Sequence, residues 1–221
     1  MTRIVSWNVM YRPYEEQYNS NSVILKKYPN EKIRSIEIIN TLLKFFTEDT
    51  IFCLQEVTLY IICLLSDIFS KTHNIFFHNV QNDEYLVTVA PKEDTILLKS
   101  WSHFTSNGYL LINYKNTQII NCHLKPQQYI KKASIKNLDY LKSLKNDNIN
   151  TFIIGDFNEH YKNLISKLSD HFTCPFYGKT YKRKLIDHII FDIQNLQYTT
   201  LNIKTDISDH NLIILEINNY F

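Results

Sequence analysis

Glycine is nearly missing from this chain: 221 residues include three glycines, five prolines, four cysteines and two methionines. There is no Gly-x-x-x-x-Gly-Lys loop to cradle a nucleotide triphosphate, and no Gly-x-Ser-x-Gly elbow of a serine hydrolase. Cys53, Cys63, Cys122 and Cys174 form no Cys-x-x-Cys pair, which argues against a zinc cage and for reduced, mostly buried thiols. Long apolar runs are also lacking. The most apolar stretch, residues 60–65, is far too short to span a bilayer. The N-terminus passes from Met1, Thr2 and Arg3 into Ile4-Val5-Ser6-Trp7-Asn8 without the apolar core of a signal peptide. An intracellular protein, cytoplasmic or nuclear, without a membrane span is therefore expected. A formal net charge of only +2 excludes a basic coat over the whole surface but leaves room for a local basic patch.

Hydrophobic residues make up 44% of the chain and charged residues 21%, ordinary values for a globular protein. No repeat, linker or low-complexity segment divides it, so a single domain over 1–221 is expected. Short β-branched runs alternate with helical patterns. Strands are expected over 4–9, 50–57, 85–90, 95–101, 108–114, 118–124, 151–155, 185–191 and 211–217. Asn107-Gly108 and Lys115-Asn116 supply turn chemistry in the middle of the chain. Helices are expected over 32–46, 59–69, 127–145 and 160–169. The first of these follows Pro29-Asn30 and carries Ile33, Ile36, Ile39, Leu42, Leu43 and Phe46 along one stripe. This order suits an α/β protein: two mostly antiparallel sheets packed face to face with helices outside, a four-layer α/β/β/α sandwich.

Polar residues recur at the ends of the apolar strands. Asn8 closes the first, Glu56 ends Ile51-Phe52-Cys53-Leu54-Gln55, and His123 ends Ile119-Ile120-Asn121-Cys122. Asp156 and Asn158 follow Phe152-Ile153-Ile154-Gly155, Asp187 lies in Leu185-Ile186-Asp187-His188-Ile189, and Asp209-His210 opens the last strand. A buried carboxylate costs several kcal/mol unless it is paired or binds a metal. Repeating that cost at so many strand ends implies one shared site. Asp, Glu and Asn oxygens suit a hard cation, Mg²⁺ or Mn²⁺, and histidines supply donors for a phosphoryl oxygen.

Six motifs in order carry a family resemblance: Ser6-Trp7-Asn8-Val9, Leu54-Gln55-Glu56-Val57, Asn121-Cys122-His123-Leu124, Gly155-Asp156-Phe157-Asn158, Ile186-Asp187-His188-Ile189 and Ser208-Asp209-His210-Asn211. Together they resemble the endonuclease/exonuclease/phosphatase superfamily, of DNase I-like fold. The His-Leu at His123 is similar to the branch containing DNase I, CCR4-type deadenylases and tyrosyl-DNA phosphodiesterase 2. The resemblance implies a magnesium-dependent phosphodiester hydrolase. It makes Glu56 the principal metal ligand with Asn8 and Asp209 nearby. Asp156 would position or deprotonate the attacking water, and Asn158 would help hold it. His210, oriented by Asp187, would contact the scissile phosphate, and His123 would bond a phosphoryl oxygen. Either Asp156 or His210 could be the general base. The arginine-containing segment that the family carries between the second and third motifs is not recognisable in 79–101.

Three neighbouring features have blander readings. His188 alternates with Asp187, so it faces the other way and is structural. Asp170-His171 imitates Asp209-His210 but lacks a strand and reads as a surface turn. Tyr181, Lys182, Arg183 and Lys184 form a basic run just ahead of Asp187, either a solvated loop or a contact for a phosphate backbone; Lys125, Lys131 and Lys132 are a weaker version. The resulting expectation is an intracellular nuclease acting on DNA or RNA as a monomer. The alternatives are an inositol-phosphate or phospholipid hydrolase of the same fold and, more remotely, a non-catalytic binding module.

Overall fold

Runs such as Ile51-Phe52-Cys53-Leu54 and Phe152-Ile153-Ile154 are apolar at every position because both faces of their strands are covered. The computed structural model describes residues 1–11, 13–14, 22–103, 107–125, 133–145, 149–168 and 171–218. In chain order the elements are β1 (Thr2–Asn8), α1 (Ser22–Lys27), α2 (Glu31–Leu43), β2 (Thr50–Val57), α3 (Leu59–Phe69), β3 (His73–Gln81), β4 (Glu84–Pro91), β5 (Thr95–His103), β6 (Asn107–Tyr114), β7 (Thr117–His123), α4 (Ala133–Ser143), β8 (Asn150–Asp156), α5 (Tyr161–Ile165), β9 (Asp187–Phe191), β10 (Tyr198–Ile203) and β11 (Leu212–Ile217). One sheet has the order β10-β11-β1-β2-β4-β3 and the other β5-β6-β7-β8-β9. Among these neighbours only β1–β2 and β7–β8 are parallel. No helix among the described residues is long and apolar enough to cross a membrane.

Alternating side chains sort into three apolar layers. Ile4, Ile51, Cys53 and Leu86 of the first sheet meet Leu110, Ile119, Ile154 and Ile189 of the second. The opposite face of the first sheet, with Trp7, Phe52 and Val89, packs on α2 and α3. The opposite face of the second, with Ile120, Ile153 and Ile190, packs on Leu138 and Leu141 of α4 and Leu164 of α5. Four layers result, α/β/β/α, as expected. One polar bridge crosses the central layer. The Gln55 Nε2 donates to Asn121 Oδ1 at 2.8 Å, and Asn121 Nδ2 donates to the carbonyl of Val87 at 2.9 Å. This buried pair ties the two sheets together through Gln55 Nε2 and Asn121, while Gln55 Oε1 is buried without a hydrogen-bond partner.

Three elements lie outside the expected set: α1, β3 and β10. Asn107-Gly108 is not a turn; Gly108 pairs with Ser102 and His123 inside β6. The buried face of α2 is also rotated from the expected stripe. Arg34, Ser35, Ile38, Ile39, Thr41 and Leu42 are buried, while Ile33, Ile36 and Leu43 are exposed. The cause is Arg34, whose fully buried guanidinium donates to the carbonyls of Val9 at 2.6 Å and Met10 at 2.8 Å. Hydrogen bonding those carbonyls dictates the helix rotation more strongly than three exposed apolar side chains oppose it. Of the helix expected over 127–145, residues 127–132, including Lys131 and Lys132, lie outside the described residues, as does Asp170.

Gly155 shows how closely β7 and β8 approach. Its φ is +140°, and a Cβ there would lie 1.9 Å from the Cys122 carbonyl oxygen. That backbone region alone costs a non-glycine residue ~1–3 kcal/mol. Gly155→Ala should therefore lower the melting temperature by at least ~2 °C, and by more for the clash with the Cys122 carbonyl. A thermal melt indistinguishable from wild type would contradict this reading of the strand pair.

Candidate active site

The parallel pairs β1–β2 and β7–β8 send their C-terminal ends the same way. Register then does the assembly. His123, Asp156 and Asp187 form one row across β7, β8 and β9, and Asn8 sits beside Gln55 at the end of β1. In the first sheet the pairing of β2 with β4 shifts after Leu54, and Glu56 takes φ +56°, a conformation costly for a non-glycine residue. That kink turns the Glu56 carboxylate toward the second sheet. The fully buried Asn8 amide donates from Nδ2 to Glu56 Oε1 at 2.8 Å and to Asp156 Oδ2 at 3.0 Å. Glu56 Oε2 accepts the Tyr11 backbone N–H at 2.9 Å. Asp156 Oδ1 accepts the N–H of Asn158, whose amide donates to the Leu124 carbonyl at 2.8 Å.

Two histidines flank these carboxylates, each oriented by an acid behind it. His210 Nδ1 lies 3.0 Å from both Asp187 oxygens, and its Nε2 is 3.8 Å from Asp156 Oδ2. His123 Nδ1 lies 3.0 Å from Glu84 Oε1, and its Nε2 is 3.8 Å from both Glu56 Oε1 and Asp156 Oδ2. Burial disfavours a charged ring in each case, but the carboxylates outweigh it. Glu84, Asp156 and Glu56 push His123 up to about 10, and Asp187, Asp156 and Asp209 do the same to His210. Both rings are cationic at neutral pH and present Nε2–H donors. Burial, together with Asp187, lifts Asp156 to about 6 against the opposing pull of His210 and His123. It remains ionised at pH 7 but is a stronger base than an ordinary carboxylate.

The eight strand-end residues do not all stand alike. Glu56, His123 and Asp156 have ligand atoms within 4.8 Å of one another, as do Asp156, Asp187 and His210. Asp209 is in neither group; its half-buried carboxylate acts on His210 and Lys182 through its charge. Four carboxylates, Glu56, Glu84, Asp156 and Asp187, face two imidazole rings, so acids outnumber the rings even with both rings protonated. A divalent cation would offset that excess, and the oxygen donors of Glu56 and Asp156 fit a hard one; Asn8, expected as a ligand, instead turns Nδ2 to these carboxylates while its Oδ1 accepts the Met10 N–H.

Tyr181, Lys182, Arg183 and Lys184 form a tight turn in which Tyr181 and Lys184 exchange backbone hydrogen bonds at 3.0 and 2.7 Å. The three cations are exposed. The Tyr181 ring is turned against His210, centroids 4.5 Å apart, and Lys182 Nζ lies 4.7 Å from the centre of the same ring. Four supporting residues gave no signal by type alone. Glu84 holds His123. Thr180 Oγ1 accepts the N–H of Ile186 at 3.2 Å and of Asp187 at 3.1 Å. Ser208 donates to the Asn8 carbonyl at 2.7 Å and accepts the His210 N–H at 3.1 Å. Arg34 ties the loop after β1 to the Ile207 carbonyl. Ser208 opens the Ser-Asp-His motif, and Glu84 has a cue as an acid directly after the Asn82-Asp83 hairpin turn.

The sequence matches no protein-family model and no curated protein. Solved structures do match it. A D. rerio TDP2 complexed with single-strand DNA product is 13% identical, with 99% of each chain covered and a TM-score of 0.73. The human Nocturnin catalytic domain with bound sulfate anion is 17% identical over 98% of this chain and 93% of that one, TM-score 0.72. An endonuclease/exonuclease/phosphatase from Bacteroides vulgatus is 13% identical over 98% and 99%, TM-score 0.70. The fold is therefore the DNase I-like sandwich of endonuclease/exonuclease/phosphatase structures.

His188 faces away from these groups. It is fully buried, with Nε2 donating to the Glu159 carbonyl at 2.9 Å and its ring stacked on Tyr161. Burial lowers it to about 4. Between pH ~4 and 6.5 the unfolded chain binds this proton and the folded chain does not, so the group's stabilising contribution is full above 6.5 and lost as pH falls. The loss amounts to about 3 kcal/mol at most. In urea titrations from pH 4 to 7, His188→Gln should show a flatter rise of unfolding free energy than wild type. Parallel curves would refute the buried neutral state.

Proposed function

We propose that this chain is a divalent-metal-dependent phosphodiesterase whose substrate is nucleic acid. One observation carries the reading: two acid-backed histidines, one at the end of β7 and one just before β11, converge on Asp156 beside Glu56, at the junction of both sheets. The solved structures of the same fold support it, since one holds a single-strand DNA product and another a sulfate anion, a stand-in for phosphate.

Glu56 would hold Mg²⁺ or Mn²⁺ with Asp156 beside it, Asn8 steadying both carboxylates through Nδ2 and Asp209 adding negative charge from outside the cluster. Such an ion, when bound, supplies Lewis-acid stabilisation of charge developing around phosphorus. The remaining steps belong to the protein. Asp156, lifted to about 6, takes the proton of the attacking water. His210, oriented by Asp187 with Nε2 turned toward Asp156, would donate to a phosphoryl oxygen. His123 donates from the opposite side, and Asn158 steadies the water or the phosphate. Both imidazoles are fixed before substrate arrives, so little reorganisation is needed as charge develops. The exposed Lys182, Arg183 and Lys184 would meet phosphates flanking the scissile one.

Hydrolysis of single-stranded DNA or RNA should require Mg²⁺ or Mn²⁺, vanish in EDTA and return on adding Mg²⁺. Asp156→Asn should lower kcat by at least ~10²-fold, the scale of a lost acid/base group. Full activity in EDTA sinks the metal assignment; turnover of inositol phosphates or phospholipids without any of oligonucleotides sinks the substrate. Replacing Lys182, Arg183 and Lys184 with alanine should flatten the log–log salt dependence of single-strand affinity by about 2, from ~0.7 per phosphate contact. An unchanged slope in a binding titration would remove the turn from the substrate path.

A further inference from the structure

Tyr181 sits in a basic turn, a setting in which an aromatic ring commonly stacks on a nucleobase. Its surroundings point elsewhere. The ring lies against the His210 imidazole with centroids 4.5 Å apart and planes 34° apart, near enough to restrict that ring's rotation. The backbones of Tyr181 and His210 pair as an antiparallel bridge, and the Asn211 N–H donates to the Thr180 carbonyl at 2.7 Å. On the preceding residue, Thr180 Oγ1 accepts from the backbone of Asp187. Two consecutive residues thus touch both halves of the Asp187–His210 pair. Lys182, next in the chain, takes φ +48° and keeps its ammonium over the Tyr181 ring. A ring already engaged by an imidazole and an ammonium offers little free face to a base.

We infer that Tyr181 is a positioning residue for His210, holding the imidazole so that Nε2 faces Asp156, and that Thr180-Tyr181 joins the exposed basic turn to the Asp187–His210 pair. The hydrogen bond that His210 Nδ1 donates to the Asp187 carboxylate would by itself let the ring swing about Nδ1 within the width of that carboxylate. The Tyr181 ring blocks that swing from one side. The turn that would contact flanking phosphates is therefore built onto the group that would contact the scissile one. Correct seating of the strand then affects turnover as well as affinity.

This inference rests on the phosphodiesterase reading, so its test includes a measurement independent of activity. In wild type the His210 ring protons should show a single resonance displaced by the current of the tyrosine ring. Tyr181→Leu should shift and broaden that resonance, and Tyr181→Phe should restore it. In magnesium-dependent assays, Tyr181→Leu should lower kcat at least 10-fold on both bis(p-nitrophenyl) phosphate and a single-stranded oligonucleotide, with KM changed less than threefold. Tyr181→Phe should recover most of kcat, because the ring and not the hydroxyl makes the contact. A Tyr181→Leu protein that melts like wild type but loses only oligonucleotide affinity, with normal turnover of the small diester, would make Tyr181 a base platform and overturn the inference. Equal losses in the Phe and Leu variants would overturn it too, by assigning the effect to the hydroxyl. If wild type cleaves neither substrate while the resonance behaves as described, the phosphodiesterase reading fails and the positioning contact stands.

Discussion

One side-chain amide joins the two sheets at their reactive end. The Asn8 Nδ2 group donates at once to Glu56 from β2 and to Asp156 from β8, and its Oδ1 accepts the Met10 N–H at 3.0 Å. Without that amide, two carboxylates from different sheets would lean together with nothing between them. With it, they are held a fixed distance apart at the point where an oxygen-liganded cation would bind. The rest of the molecule serves this alignment. Gln55 and Asn121 tie the sheets together one residue inside it. Arg34 and Ser208 hold the chain on either side, at the carbonyls of Val9, Met10 and Asn8.

Charge balance follows from that geometry. Glu84 and Asp187 are not spare acids: each keeps a histidine protonated and turns its Nε2 inward. Removing either would take away the ring's hydrogen-bond partner and one of the charges that raise its pKa, and would loosen the donor beside Asp156. The environment of Asp156 therefore depends on residues in β4 and β9 that do not touch it by hydrogen bond. A site built this way is electrostatically preorganised, since its donors are charged and oriented at rest.

Much of this was legible in the chain. Every strand carrying a site residue read correctly to within two or three residues, because apolar runs ending in a polar residue are a local pattern. Elements that failed to show were those whose apolar content is weak or mixed. β3 sets the polar pairs His73-Asn74 and His78-Asn79 on either side of Ile75-Phe76-Phe77, and β10 is an edge strand with Thr199, Thr200 and Asn202 among its six residues. The α2 stripe misled because local periodicity counts hydrophobes and cannot see that Arg34 has three carbonyls to satisfy. Thr180 and Ser208 are small hydroxyl residues whose roles exist only through partners remote in sequence or hidden in a turn. Tyr181 was visible as an aromatic in a basic run, but which face of the molecule its ring would meet depended on the pairing of 181 with 210.

Backbone strain shows what the alignment costs. Asn82, Asp83, Asp94, Lys115 and Asn195 have positive φ in turns or loops, where such angles are common. Met10, Glu56, Asn158 and Lys182 are different: each has positive φ, and each lies within or next to the reactive end. Only Asn158 is a residue type that favours this region. At Glu56 the strained angle coincides with the register shift between β2 and β4, so a regular strand would have carried the carboxylate past Asn8. Strain of this kind persists only when the surroundings over-determine it. Here the Tyr11 N–H and the Asn8 amide both grip the Glu56 carboxylate, and Arg34 grips the carbonyls of Val9 and Met10 in the segment that carries Tyr11. The buried arginine, far from any reacting atom, is thus what allows a glutamate to stand where a straight strand could not put it.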